Sequence, residues 1–195
     1  MRFIPLAHLR TVLTARHRRQ GLQIAVLILA ACISPLSLEG QTSSVSEPQA
    51  KAGFLLNFAR FTEWPTSALG PADPIVICAT DADVAHELEK TIGGRKVGEH
   101  PVRATHIDVD EPDLACAIVY AHRLDQRKTE ELLVALGTAP VLTVSDSKGF
   151  ARFGGGIQLF LTGGRMAFGV NRTAAERSGL RLSSKLLGLS KPVED

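Results

Sequence analysis

The sequence predicts an α/β fold, a single layered domain in which helices flank a mixed β-sheet and a β-hairpin and helices follow at the C-terminal end. Three apolar runs rich in β-branched residues, 75–79, 115–120 and 141–145, are typical of strands buried on both faces. Segments of helical periodicity alternate with these runs, which is the pattern of α/β domains. The chain has 195 residues, enough for one domain of ordinary size and a leader.

Residues 1–40 predict an export signal. Residues 1–23 contain five arginines and no acidic residue, and the apolar run 24–33 follows them, which is the layout of a secretory signal. A membrane span needs about 20 apolar residues, so we expect cleavage near Gly40, with an uncleaved membrane anchor as the alternative. In either case the positive charge precedes the apolar run, which places the rest of the chain outside the cytoplasm.

A second mode of cleavage stays open. Residues 29–32 (Leu-Ala-Ala-Cys) resemble the box at which bacterial lipoproteins are cut and lipidated on the cysteine. Cys32 is therefore a candidate lipidation site. On the alternative interpretation it is one more small apolar residue of the signal.

The net charge of +2 belongs to the leader. Five of the 22 basic residues precede Ile33 and no acidic residue does, so the remainder has 17 basic against 20 acidic residues and a net charge of −3. A cut near Gly40 also removes Glu39 and leaves −2. Charge therefore gives no support to a nucleic-acid partner.

The first helix of the domain is predicted within 51–65 (KAGFLLNFARFTEWP) and should end before Pro65. It follows a polar lead-in, 41–49, that we expect to be disordered. Four aromatic residues lie within 51–65 at spacings of four, three and three, so they form one stripe on a helix. They are Phe54, Phe58, Phe61 and Trp64. One interpretation packs the stripe on the sheet as core. On the other, Leu55 and Leu56 make the helix apolar nearly all round, and a subunit or partner protein covers the excess.

The middle of the chain alternates strands with helices. Asp81 or Asp83 can cap the helix after the first strand, and Gly137 ends the next helix. The predicted elements are a strand at 75–79, a helix at 84–92, one or two short strands within 96–108, a strand at 115–120, a helix at 125–136 and a strand at 141–145.

The C-terminal part predicts a hairpin followed by helices. Two strand-like runs, 157–161 and 165–170, flank a short loop with two glycines, which is typical of a β-hairpin. Asn171 can cap a further helix. A last helical turn or two covers 183–189.

Motifs of catalysis are scarce, which predicts that the chain is not an enzyme. There is no P-loop, no G-x-S-x-G elbow, no dinucleotide-binding fingerprint and no H-E-x-x-H motif. Ser145 and Lys148 imitate the S-x-x-K string of serine nucleophiles, but the string follows a strand and precedes a glycine, so a polar turn is the simpler interpretation. A serine hydrolase using Ser145 or Ser147 remains a rival. The histidines at 86, 100, 106 and 122 lack the spacing of a metal site.

The loop after the strand at 141–145 is a candidate ligand site. Gly154 and Gly155 would let backbone amides approach an anion, with Lys148 and Arg152 nearby. Such a loop would make the domain an extracytoplasmic module that senses a small ligand. On the alternative interpretation the glycines only permit a bend with positive φ.

Two cysteines, Cys78 and Cys116, remain after the leader, and each lies in a strand-like run. An even pair in an exported chain indicates a disulfide, which would stabilise the fold by about 3–4 kcal/mol on the chain-entropy model. The alternative is two separate buried thiols, since free cysteine is a common core residue.

These segments together resemble the YfiR-like family of periplasmic proteins. The resemblance covers roughly 50–192 and rests on the order and spacing of several segments. They are KAGFLLNFARFTEWP, the strands IVICAT and ACAIVY, VLTVSDSKGFARFGGGIQLF in the middle and FGVNRTAAERSGLRLSSKLLGLS at the end. The resemblance implies a small exported α/β protein, often a homodimer, with no enzymatic activity or cofactor.

The resemblance implies a function in binding. Family members are similar to a repressor of an inner-membrane diguanylate cyclase, whose periplasmic sensor domain they bind. Release of the repressor raises cyclic di-GMP and promotes biofilm growth, and an outer-membrane lipoprotein can sequester it. A sensor kinase is the alternative membrane partner.

The resemblance also implies roles for individual residues. Cys78 and Cys116 match the strand positions of a family disulfide, whereas the second cysteine pair of the best-studied member has no counterpart here. We place a partner or dimer surface on the aromatic helix and the C-terminal segment. Its residues are Phe54, Leu55, Phe58, Phe61, Trp64, Leu182 and Leu186.

Overall fold

The computed structural model describes residues 45–92, 94–113 and 115–192. The predicted export signal, with Cys32, lies outside the described residues, as does the lead-in up to residue 44. The described elements are α1 Glu47–Arg60, β1 Thr62–Glu63, β2 Ile75–Ala79, α2 Ala82–Ile92, β3 Lys96–Val97, β4 His100–His106, β5 Ile118–Ala121, α3 Gln126–Leu136, β6 Leu142–Ser145, β7 Ile157–Thr162, β8 Arg165–Val170, α4 Arg172–Arg177, β9 Arg181–Leu182 and α5 Ser184–Leu189.

A mixed seven-stranded sheet forms the centre of the domain, in the order β3-β4-β2-β5-β6-β7-β8. Its five inner strands are parallel, and β3 and β8 are antiparallel to their neighbours. The short strands β1 and β9 form a separate antiparallel pair. The predicted α/β class, with a mixed sheet, a C-terminal hairpin and helices, is confirmed.

Helices cover both faces of the sheet, as the continuous apolar strands predict. On one face Ile75 and Ile77 of β2 pack with the buried sides of α1 and α2. On the other face Cys78 lies with Leu132 and Leu136 of α3. Successive residues of one strand thus serve two separate cores, because strand side chains alternate in direction.

Helix-capping side chains and turn glycines mark the ends of several helices and strands. The side chain of Asp81 accepts a hydrogen bond from the amide of Val84 (2.9 Å) at the start of α2, and Asn171 caps α4 in the same way. In the β7–β8 hairpin, Gly163 and Gly164 both have positive φ, 55° and 72°, as a two-residue turn that matches strand twist requires.

Some boundaries differ from the expectations. The helix α1 begins at Glu47, inside the expected lead-in, because the Ser46 side chain caps it by accepting from the amide of Gln49. It ends at Arg60, since Thr62 and Glu63 leave the helix to pair with β9. Cys116 precedes β5 instead of lying within the strand.

Candidate functional site

Of the predicted aromatic stripe only Phe54 and Phe58 lie on α1, because the helix ends at Arg60, and Phe58 belongs to the core. Phe58 is 1% exposed, and its ring lies 5.2 Å from that of Phe168 on β8. Leu55 and Leu186 are buried as well. We therefore correct the surface prediction for Leu55, Phe58 and Leu186, because these side chains pack inside their own domain and present nothing to another chain.

The other members of the predicted surface, Phe54, Phe61, Trp64 and Leu182, are partly exposed and pack on the edge of the core. The indole nitrogen of Trp64 donates to the carbonyl of Ala117 (3.2 Å), so this side chain also links the residue after β1 to the start of β5. For these four residues the surface prediction stays a prediction.

Two residues of the hairpin extend this surface and were missed from the sequence. Leu161 is 67% exposed, and its cross-strand partner Met166 is half-buried. Met166 lies two residues before Phe168 on β8, on the face where Phe54 covers Phe168 at 5.9 Å. We call the set Phe54, Phe61, Trp64, Leu161, Met166 and Leu182 the α1 surface.

A polar cluster lies where the parallel strands β2, β5 and β6 end. Carboxyl ends of parallel strands meet at one edge of a sheet, and ligands of open α/β sheets bind at the point where the strand order reverses. Here that point is between β2 and β5, because β4 lies on one side of them and β6 on the other. The cluster consists of Glu47, Lys51, Asp81, Tyr120, His122 and Asp146.

Lys51 occupies the centre of the polar cluster, although it is a residue of α1. It is only 3% exposed. Its ammonium group pairs with Asp146 at 2.7 Å and with Glu47 at 2.6 Å, and it lies 5.8 Å from the ring centre of Tyr120. A buried cation with two carboxylate partners holds α1 against the strand ends.

The electrostatics of the cluster favour the ionised carboxylates. Burial by itself would raise the pKa of Asp146, but the hydrogen bonds from Lys51 and from the amide of Arg123 outweigh burial, so this pKa lies below its usual value. The hydrogen bond from Lys51 and its charge also lower the pKa of Glu47. Burial, with the charge of Asp146, raises the pKa of Tyr120.

His122 joins two of the strand ends. Its Nδ1 lies 2.9 Å from Asp146, and its Nε2 lies 3.4 Å from Asp81. The hydroxyl of Tyr120 is 3.1 Å from the same Nδ1. The groups satisfy one another, and no buried side-chain nitrogen or oxygen of the described residues is without a hydrogen bond. The arrangement is suited to fastening α1 to the sheet more than to holding a ligand.

The sequence contains a signal for this cluster that the predictions above do not include. Asp81, His122 and Asp146 each come directly or almost directly after a buried strand. Residues in that position of parallel strands converge at one edge. Lys51 had no such signal, because only the packing of α1 brings it there.

The residues of the predicted ligand loop have different structural environments. A side-chain Cβ at Gly155 would lie 2.2 Å from the Phe150 ring, so packing explains this glycine. Gly154, with φ +106°, lines a cavity of about 300 Å³ between α3 and α4. Lys148 and Arg152 are exposed and are not among the residues that line the cavity. Ligand contact by the loop stays a prediction.

The serines of the S-x-x-K string have structural roles. Ser145 and Ser147 are buried, their hydroxyls are 2.9 Å apart, and Ser147 accepts from the amide of Leu124. The string forms a turn in which Lys148 is exposed, so the lysine does not lie one helical turn from the serine. This geometry supports the interpretation as a polar turn.

The disulfide joins Cys78 and Cys116, with their Cα atoms 5.9 Å apart. Both cysteines are buried under α3, and the bridge spans a sequence separation of 38. This agrees with the predicted bridge. In the part of the chain that the structure describes, no group of three or more His, Cys, Asp and Glu side chains is placed to hold a metal ion.

Comparison with protein-family models matches residues 48–191 to the family described as YfiR/HmsC-like. The match covers more than half of the chain and includes the whole seven-stranded sheet. Among the described helices none is long and apolar enough to cross a membrane.

Proposed function

The chain belongs to the YfiR/HmsC-like family, and from this we propose that it is a periplasmic regulator that binds and represses the periplasmic sensor domain of an inner-membrane diguanylate cyclase. Repression would keep cyclic di-GMP low and limit biofilm formation. A sensor kinase with a periplasmic domain is the second class of partner. The function needs binding and no chemistry.

The α1 surface is the observation that carries the proposal. Exposed apolar groups usually mark interaction sites. Leu161 is exposed and Phe54 partly exposed, and Leu161 follows Ile157 and Leu159 on the face of β7 that packs with α1. Gly53, beside Phe54, supports it, since no atom lies within 4 Å of the position where a Cβ would be. A glycine inside a helix costs about 1 kcal/mol relative to alanine, and nothing within the domain explains it.

Release of the cyclase sensor domain would follow from competition for the α1 surface. A second protein that binds the α1 surface, such as an outer-membrane lipoprotein, needs only enough differential affinity to shift the bound population. The same surface would serve a homodimer. Export by residues 1–40, by a cut near Gly40 or by lipidation at Cys32, would bring the domain to these partners.

The test is repression in cells. We expect deletion of the gene to raise cyclic di-GMP and the intact gene to restore it. Leu161→Glu should fail to restore it and should weaken binding of the purified cyclase sensor domain at least tenfold, because a charge then meets an apolar contact. Leu161 is 67% exposed, so this change leaves the fold intact.

Asn57→Glu is the matched control, since Asn57 is exposed on α1 and lies outside the α1 surface. It should repress like the natural protein. Unchanged cyclic di-GMP after deletion would refute the function. Full repression by a folded Leu161→Glu variant, combined with normal repression by the natural protein, would refute only the surface.

A further inference from the structure

A cavity of about 300 Å³ lies between α3, α4 and the loop before β7. This volume is at the lower end of the range of small-molecule sites, and the lining is mixed, with polar residues such as Thr138, Thr143 and Ser178 beside apolar ones. Its apolar walls come from α3, β6, α4 and the loop. They include Leu133, Leu136, Val141, Leu142, Phe153 and Ala174.

Gly154 leaves the cavity open on the loop side. With φ +106°, it adopts a conformation that residues with a side chain rarely take. A Cβ there would lie 3.7 Å from Nη2 of Arg177 and 3.9 Å from Cδ1 of Leu133, both of which line the cavity. A side chain at this position would therefore occupy the space between the guanidinium and the apolar wall.

Arg177, the last residue of α4, brings the one positive charge among the lining residues. Arg172 of the same helix pairs with Glu176 at 2.7 Å, whereas Arg177 forms no ion pair with any residue that the structure describes. Glu130 also lines the cavity and keeps its negative charge, but its side chain is exposed and is hydrogen-bonded along α3 to Gln126 at 2.8 Å. A guanidinium beside apolar walls matches a carboxylate on an apolar body.

The C-terminal end of α3, which lines the cavity, does not cancel the positive charge of Arg177. Carbonyl oxygens at a helix C-terminus repel anions. Here the carbonyl of Leu133 accepts from the amide of Gly137 (2.9 Å), and that of Leu136 accepts from Ala139 (3.0 Å). Two of the last carbonyls of α3 are thus already hydrogen-bonded.

We propose that this cavity binds a small amphipathic monocarboxylate, with the acyl or aryl group against Leu133, Val141 and Phe153 and the carboxylate on Arg177. One guanidinium suits a single negative charge better than a phosphate. The site is separate from the α1 surface and does not depend on the proposed partner.

Octanoate titrated into the purified exported protein is the test, followed by calorimetry and by amide NMR. We expect saturable binding with shifts of the amides of Gly137, Gly154 and Gly156. Octan-1-ol should bind more weakly, and octylammonium at least tenfold more weakly than octanoate. Absence of saturable octanoate binding at millimolar concentration would overturn the proposal.

Two variants separate the parts of the site. Arg177→Gln should weaken octanoate about fivefold to tenfold, the effect of one charge-assisted hydrogen bond, and leave octan-1-ol unchanged. The control Arg172→Gln should alter neither. Val134→Trp places a large ring at the mouth, where Val134 is 81% exposed, and should block both probes.

Equal binding of octanoate by the natural protein and by Arg177→Gln would refute the carboxylate contact. Unchanged binding by Val134→Trp would refute the cavity as the site. These assays need no cyclase, so their failure is distinct from failure of the proposed repression.

Discussion

Lys51 shows how one residue can decide the position of a helix. Its side chain is buried, and it reaches Asp146 at the end of β6 across 95 residues of sequence. A buried charge is tolerated only with partners, and here the partners come from α1 itself and from the sheet. Apolar side chains such as Leu55 and Phe58 pack α1 on the core, and Lys51 fixes which part of the helix meets the strand ends.

Replacement of this cation should be costly. We expect Lys51→Met to lower the free energy of unfolding by about 3 kcal/mol, because it leaves the buried Asp146 carboxylate without its ammonium partner. Urea denaturation measures the change. Lys90→Met, which removes an exposed pair with Glu87, is the control and should cost less than about 1 kcal/mol. A loss of similar size in both variants would contradict the role given to Lys51.

The lowered pKa values of Asp146 and Glu47 predict how stability changes in acid. Because both values lie below those of the unfolded chain, the unfolded chain binds more protons at acid pH. Their contribution is therefore complete above the ordinary carboxyl pKa of about 4 and is lost as the pH falls through the folded-state values.

Unfolding free energies measured between pH 2 and pH 6 test this dependence. Asp146→Asn should flatten the acid loss of stability, and Glu89→Gln, at an exposed position of α2, should leave it unchanged. An equally steep loss in Asp146→Asn would assign the acid sensitivity to other groups.

At the level of elements, the sequence predicted the strands and turns whose signals come from residues close together in the chain. The apolar runs identified β2, β5 and β6, and the glycine pair identified the β7–β8 hairpin. The pair β1–β9 could not be predicted, because two-residue strands show no period and their paired residues, Thr62 with Leu182 and Glu63 with Arg181, lie far apart in the sequence. The polar cluster was missed for the same reason, since its members meet only after the sheet forms.

A substitution at Gly53 tests the stability of α1 and its role in partner binding independently. Gly53→Ala should raise the free energy of unfolding by about 1 kcal/mol, as alanine favours helix and the added methyl meets no atom of the domain. The same methyl should weaken partner binding if a second chain packs closely on α1. Denaturation and sensor-domain binding are measured together, and a more stable variant with unchanged affinity would remove Gly53 from the interface.

At the scale of the whole molecule, the disulfide and the predicted export signal are linked. Disulfides persist outside the reducing cytoplasm, and the bridge between Cys78 and Cys116 links β2 to the segment before β5. The loop that it closes contains α2, β3 and β4, including one edge of the sheet. We therefore expect the stability of the fold to depend on the compartment to which residues 1–40 are predicted to send it.

This dependence can be measured by making the protein with and without residues 1–40. We expect the exported form to carry the bridge and the cytoplasmic form to have two free thiols, distinguished by alkylation and mass spectrometry. The exported form should be more stable by about 4 kcal/mol, the entropy effect of closing a loop of this length. Cys78→Ala combined with Cys116→Ala is the control, and its stability should be the same from both compartments. Equal stability of the two natural forms, with the bridge present in only one, would show that the fold does not rely on the disulfide.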